Sequence, residues 1–150
     1  MRPGLREHIE RDITKLGFTT IAVGDDPAGW FAYTVGLTEL GHPEILISGL
    51  RGDYCHGVFW NAYNAIKKGH SFKAGQEDDT LGHLTCAFKT LSPEAAEKFC
   101  AQALYFYEDK PKTPTFVQLV MPDKAGRLPW QPGYDAQLMK VQRHLWVQLH

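Results

Sequence analysis

His42 and Glu44 flank Pro43, and these residues carry the chemistry most worth testing in a chain of 150 residues. A residue that precedes proline is biased toward extended backbone. In extended backbone, side chains two positions apart project to the same side. An imidazole and a carboxylate brought together in this way can serve as a general base with an orienting acid, or as two ligands of a metal ion. A metal ion needs a third ligand, for which Asp123, His56 and His70 are the candidates. The structural alternative is that Glu44 receives backbone hydrogen bonds at a strand start, while His42 packs in a turn or pairs with Asp123. No nucleophile stands near them in a recognisable context.

Other residues invite narrower readings. Cys55-His56 places a thiol where a helix begins, and the positive end of a helix dipole favours thiolate; the alternative is a buried cysteine beside a surface histidine. The segment Gly69-His70-Ser71-Phe72-Lys73-Ala74-Gly75 is glycine-bounded and basic, so it is a candidate anion cradle. It lacks both the P-loop ending and the Rossmann glycine spacing, and it also reads as a helix C-cap followed by a turn. Gln118 sits between apolar neighbours and must find partners for its amide. Proline-fixed Pro122-Asp123 and Pro129-Trp130 would position an acid and an indole, either over the Tyr33 and His42 region or as a lid on the core.

The elements that hold these residues follow from periodicity. Leu5, Ile9, Ile13 and Leu16 recur at helical spacing, and Gly17 ends that helix. Thr19 to Val23 reads as a strand, punctuated by Gly24-Asp25-Asp26-Pro27. Trp30 to Thr38 alternates, with Phe31, Tyr33, Val35 and Leu37 on one face, and completes an antiparallel hairpin. Ile45 to Leu50 is apolar on both sides and belongs at the centre of a sheet. Asp53 is placed to cap a helix over Tyr54 to Lys68, with Cys55, Val58, Phe59, Ala62, Ala65 and Ile66 as its buried stripe.

A loop from His70 to Gly82 leads to a strand in which Leu84, Cys86 and Phe88 alternate. Ser92-Pro93-Glu94 starts a helix with an N-cap hydroxyl, a proline and an acid. Thr115 to Met121 reads as the last strand, and Ala136 to Leu149 as a final helix. The order of elements predicts one α+β domain over residues 1–150, with two or three helices packed as a layer on a largely antiparallel sheet.

Composition narrows the function. The hydrophobic and charged fractions, 43% and 22%, are those of an ordinary globular protein rather than a disordered one. A formal net charge of −1 supplies no field for nucleic acid or an anionic membrane. Lys67, Lys68, His70 and Lys73 form a local basic cluster, which a helix C-terminus accommodates. Cys55, Cys86 and Cys100 include no C-x-x-C pair, and read as buried thiols. The N-terminus has no apolar signal region and no run reaches membrane-spanning length, which points to a cytoplasmic protein. No feature implies a metal or an organic cofactor, and a monomer or weak homo-oligomer is expected.

The chain resembles a bacterial family of uncharacterised proteins, domain of unknown function 4262. The resemblance rests on Tyr33-Thr34-x-Gly36-Leu37, His42-Pro43-Glu44, Gly69 and Gly75, Gln118-Leu119, and Pro122-Asp123-x-x-Gly126-x-x-Pro129-Trp130. Beyond Trp130 the chain departs from that pattern, since Gln137 is followed by leucine where proline is expected. A more distant similarity, to suppressor-of-fused-like domains, covers Tyr33 to Leu37, Gly69 to Gly75 and Gln118-Leu119. That similarity implies a protein-binding module, with a toxin neutralised by an immunity protein as one form of it. Three functions therefore stand: a module that binds a protein partner; a small hydrolase or metal-dependent enzyme using His42, Glu44 and Asp123; and a ligand-binding protein with a pocket around Tyr33, Gln118 and Trp130.

Overall fold

The computed structural model describes residues 3–24, 29–82 and 85–147. The first helix, α1 (Leu5–Leu16), buries Leu5 and Ile9 and closes as Gly17 takes a φ of 99° and donates its N–H to the Ile13 carbonyl at 2.9 Å. β1 (Thr19–Val23) and β2 (Phe31–Val35) form the expected antiparallel hairpin, with Ile21 opposite Tyr33. β3 (Glu44–Ser48) follows, then α2 (Gly52–Lys67), the two-residue β4 (Glu77–Asp78) and β5 (Cys86–Thr90). Two short helices, α3 (Pro93–Phe99) and α4 (Ala101–Tyr107), precede β6 (Phe116–Val120).

The strands make one six-stranded sheet in the order β1-β2-β3-β6-β5-β4. Every pairing is antiparallel except that of β3 with β6, which is parallel and sets Glu44 beside Phe116. The α+β class and the mostly antiparallel sheet are as expected, but the described residues hold four α-helices rather than two or three, and they cover both faces of the sheet instead of forming one layer. Tyr33, Val35, Leu46 and Phe116 face α1, α3 and α4, whereas Ala32, Ile45, Ile47, Phe88 and Leu119 face α2. β3 is buried on both sides, so Ile45, Leu46 and Ile47 are wholly inaccessible. Each such side chain contributes about 1.5–3 kcal/mol by leaving water.

Local details depart from expectation for identifiable reasons. The strand expected to run from Trp30 to Thr38 stops at Val35, because Gly36 takes a φ of 131° and Leu37–Leu40 wind into a 3-10 turn. The reversal carries Leu37 to the opposite core from Tyr33 and Val35. Asp53 caps nothing: Arg51 is the N-cap residue, and the Asp53 carboxylate pairs with the Arg51 guanidinium at 2.8 Å. Ser92 does cap, its hydroxyl accepting the Ala95 N–H at 3.1 Å, but the helix it starts breaks at Cys100.

The final helix does not form. Ala136–Lys140 and Leu145–Val147 are separate 3-10 turns, and side chains of the sheet hold the chain between them. Leu84, residues 25–27 of the expected turn and residue 149 of the expected last helix lie outside the described residues. Among the described residues, no helix is long and apolar enough to cross a membrane.

Candidate functional site

Glu44 begins β3 beneath the 3-10 turn, and its carboxylate is fully buried. Five donors converge on it. The Thr34 hydroxyl and the Leu37 N–H donate to Oε1 at 2.7 and 3.1 Å. The Gly36 and Thr38 N–H groups and the Thr38 hydroxyl donate to Oε2 at 3.1, 2.9 and 2.5 Å. The left-handed Gly36 aims successive amides inward, which makes an anion nest, and Glu44 fills it from within the chain. Burial pushes the carboxyl above its ordinary range, while the Thr38 and Thr34 hydroxyls and the Thr38 and Gly36 amides pull the other way.

His42 is equally committed. Its Nδ1 donates to the Pro43 carbonyl at 2.7 Å, so Nε2 carries no proton and accepts the Phe72 N–H at 3.0 Å. Burial holds the imidazole below its usual pKa; the Pro43 carbonyl opposes this and His70 adds to it. No hydrogen bond or ion pair joins His42 to Glu44.

Asp123 lies at the other end of the sheet. β3 and β6 run parallel, His42 precedes the start of β3, and Asp123 follows the end of β6. Five strand residues separate the two ends by roughly 17 Å. There the Asp123 carboxylate accepts the N–H groups of Ala125, Arg127 and Asp135 at 3.0, 2.9 and 3.0 Å, and pairs with Arg127 Nε at 3.2 Å. Desolvation would raise its pKa, but these donors outweigh it and hold the carboxyl below the usual range. The candidate triad is thus not assembled. Among the described residues, no three His, Cys, Asp or Glu side chains group to hold a metal ion.

Tyr33, Gln118 and Trp130 do share one face. Tyr33 pairs across the sheet with Leu46, Leu46 with Gln118 and Gln118 with Lys89, whose ammonium lies 4.4 Å from the centre of the Trp130 ring. Protein fills the space between them. The Tyr33 hydroxyl donates to Gln102 Oε1 at 2.7 Å. Gln118 Nε2 donates to the Arg143 carbonyl at 2.7 Å, and its Oε1 accepts the Leu145 N–H at 3.0 Å. Ser48 accepts the Arg143 N–H at 2.9 Å, and Gln142 forms a two-bond pair with the Met121 backbone.

After β3 the chain crosses to one face as α2, and after β6 it returns over the other. Open α/β sheets place ligands in the crevice at such a switch point. Here the tail occupies it, and the Val141 carbonyl comes so near Gly49 that an added Cβ would sit 2.5 Å away.

The remaining candidates also make bonds within the fold. Cys55 is wholly buried and burial pushes its thiol up to about 12, while His56 Nδ1 bonds the Thr20 hydroxyl at 2.7 Å. In the Gly69–Gly75 loop the N–H groups of Gly69, His70, Phe72 and Gly75 all serve internal acceptors.

Surface features that the sequence reading passed over stand out instead. Tyr54 and Trp60 on α2 are 57% and 39% exposed, and Gly57 lies between them on the outer face. An added Cβ at Gly57 would meet nothing within 4 Å. Their signal was in the sequence: both rings fall off the apolar stripe of Cys55, Phe59 and Ala62, and a glycine interrupts a helix that has no need of one.

Neither a curated protein nor a solved structure matches the chain. Residues 12–135 match a family described as Domain of unknown function (DUF4262). That span takes in the Glu44 nest, the His42 turn, the whole sheet and the Asp123 loop, and on this match the chain belongs to the DUF4262 family.

Proposed function

We propose that this domain is a binding module that recognises a protein partner through the outer face of α2. Gly57 carries the reading. Glycine within a helix costs about 1 kcal/mol relative to alanine, and the fold gains nothing from it, since the space beyond is open. Gly52 offers a contrast, because a Cβ there would meet the Ala22 side chain at 2.8 Å. A bare backbone between two exposed rings suits close approach by another chain, and aromatic residues are enriched among the anchors of protein interfaces.

Against an acid–base or metal-dependent reading stand the separation of His42 from Asp123 and the internal bonds that occupy both, and Glu44. A toxin neutralised by the domain would be one partner of this kind.

The test is affinity capture with the full chain from the source cell. The wild-type chain should retain a stoichiometric protein that Tyr54→Ala loses at an unchanged melting temperature, a loss of about 2 kcal/mol or more if Tyr54 is an anchor. Capture of no stoichiometric partner, or equal capture by the variant, overturns the reading.

A further inference from the structure

The sheet ends in two strands that have a neighbour on one side only, and the two are unlike. β4 is two residues long, and both, Glu77 and Asp78, are acidic. Shortness and charge are devices that keep an edge from pairing with another chain. β1 has neither. Thr19–Val23 carries no charge and no proline, and it pairs with β2 residue for residue, so no bulge turns it aside. Ala22 and Val23 are exposed.

The pairing fixes which main-chain groups of β1 point outward. In an antiparallel pair the N–H and C=O of one residue face the same neighbour, and successive residues alternate. The Trp30 carbonyl accepts the Gly49 N–H at 2.7 Å, so the main chain of Trp30 and of Ala32 faces β3. Phe31 and Tyr33 then face β1, where Val23 and Ile21 lie opposite them. The N–H and C=O groups of Thr20 and Ala22 are left pointing away from the sheet. Among the described residues, these groups have no main-chain partner.

One chemistry matches such an edge. Its alternating N–H and C=O groups carry partial charges complementary to those of another extended main chain, at the same repeat. The edge also adjoins α2. Gly52, His56 and Trp60 share one flank of that helix at i, i+4 spacing. A Cβ on Gly52 would lie 2.8 Å from the Ala22 side chain, His56 bonds Thr20 at 2.7 Å, and the Trp60 ring lies 5.9 Å from that of Phe18. α2 therefore runs along β1, and the exposed Trp60 joins the edge to the outer face of the helix.

We propose that the protein partner adds an extended segment to the outer edge of β1, as a further strand hydrogen-bonded to Thr20 and Ala22 and flanked by Trp60. The inference rests on the reading of α2 as a partner-binding face, and names the form in which the partner presents itself.

Amide exchange on the full chain tests it. In the chain alone the N–H groups of Thr20 and Ala22 should exchange far faster than those of Ile21 and Val23, which β2 holds. In the complex retained by affinity capture, Thr20 and Ala22 should become protected. Ala22→Pro removes an N–H that the fold does not use, and Val23→Lys puts a guarding charge on an exposed side chain should proline disturb the hairpin. Each folded variant should reduce capture roughly tenfold or more. Protection of Thr20 and Ala22 in the chain alone overturns the inference, whether the chain itself closes the edge or a second copy does so as concentration rises. Free exchange of both amides in the complex overturns it too. If Tyr54→Ala loses the partner while Val23→Lys keeps it, the α2 reading stands and the strand addition falls. Capture of no stoichiometric partner overturns both.

Discussion

The Nε2 atom of His42 accepts the main-chain N–H of Phe72 at 3.0 Å, tying the turn before β3 to the loop after α2. Because Nδ1 donates to the Pro43 carbonyl, the bond requires a neutral ring. Protonation would set a donor against the Phe72 donor.

A pH dependence follows. In the unfolded chain an imidazole titrates near 6.5, and burial lowers the folded value. Between the two values the unfolded state binds more protons, so stability is fully present above about pH 6.5 and falls as pH drops toward the folded value. His144 is also lowered by burial and acts with the same sign. His42→Gln keeps an acceptor without a titrating group. Its urea midpoint should fall less than that of the wild type between about pH 7.5 and about pH 5.5; equal falls would remove His42 from the account.

Glu44→Gln should destabilise the fold by about 3 kcal/mol. One oxygen of the carboxylate becomes an NH2 group, a donor facing N–H groups that cannot accept, and buried unmatched groups of this kind cost 1–3 kcal/mol or more. The Gly36, Leu37 and Thr38 amides would lose their shared anion. Chemical denaturation measures the loss, and a change under about 1 kcal/mol would show that the nest does not depend on charge.

Periodicity located five of the six strands, α1 and the Ser92 cap, because each is a local pattern of apolar spacing or turn chemistry; the two-residue β4 falls inside the expected loop from His70 to Gly82, where no such pattern marks it. The role of Glu44 was open to the same reasoning, as an acceptor of backbone hydrogen bonds at a strand start. What stayed hidden depends on contacts distant in sequence. That Asp123 lies a strand length from His42 follows from the parallel pairing of β3 with β6, which no short window reveals. Gln118 needed partners, but those partners are residues 143 and 145, in a segment whose own pattern suggested a helix. Gly36 ended a strand early by taking a φ that alternation alone does not forecast.

Gln118→Met should release the tail before it disturbs the sheet. The substitution leaves the Arg143 carbonyl and the Leu145 N–H without their partner, at a cost of about 3 kcal/mol. Ser48 still holds the Arg143 N–H, and Gln142 still holds the Met121 backbone. Trypsin cleavage after Arg143 and hydrogen exchange at Leu145 should therefore accelerate more than exchange in β3. A uniform acceleration would mean that tail and sheet open together.

The thiols should be inert in the folded protein. Burial pushes Cys55 up to about 12 and Cys86 up to about 11, and raises Cys100 further. Thiolate is the reactive form, so iodoacetamide labelling near neutral pH should run roughly a hundredfold slower than for an unhindered cysteine. Cys86 should label first, since it lines a surface cavity with Tyr54 and Val58. Rapid labelling of Cys55 would restore the activated thiol at the start of α2.

Gly57→Ala separates the needs of the fold from those of a partner, because the two effects have opposite signs. In the isolated domain the added methyl group meets nothing within 4 Å and restricts the unfolded chain. The helix should gain about 0.5–1 kcal/mol, which raises the melting temperature by a few degrees for a domain of this size. At an interface the same methyl group stands between Tyr54 and Trp60, where a partner backbone would approach. A variant that is more stable yet captures less partner cannot owe its lost binding to unfolding. A variant that is more stable and binds as before would leave Gly57 without a role, and the α2 face without its main support.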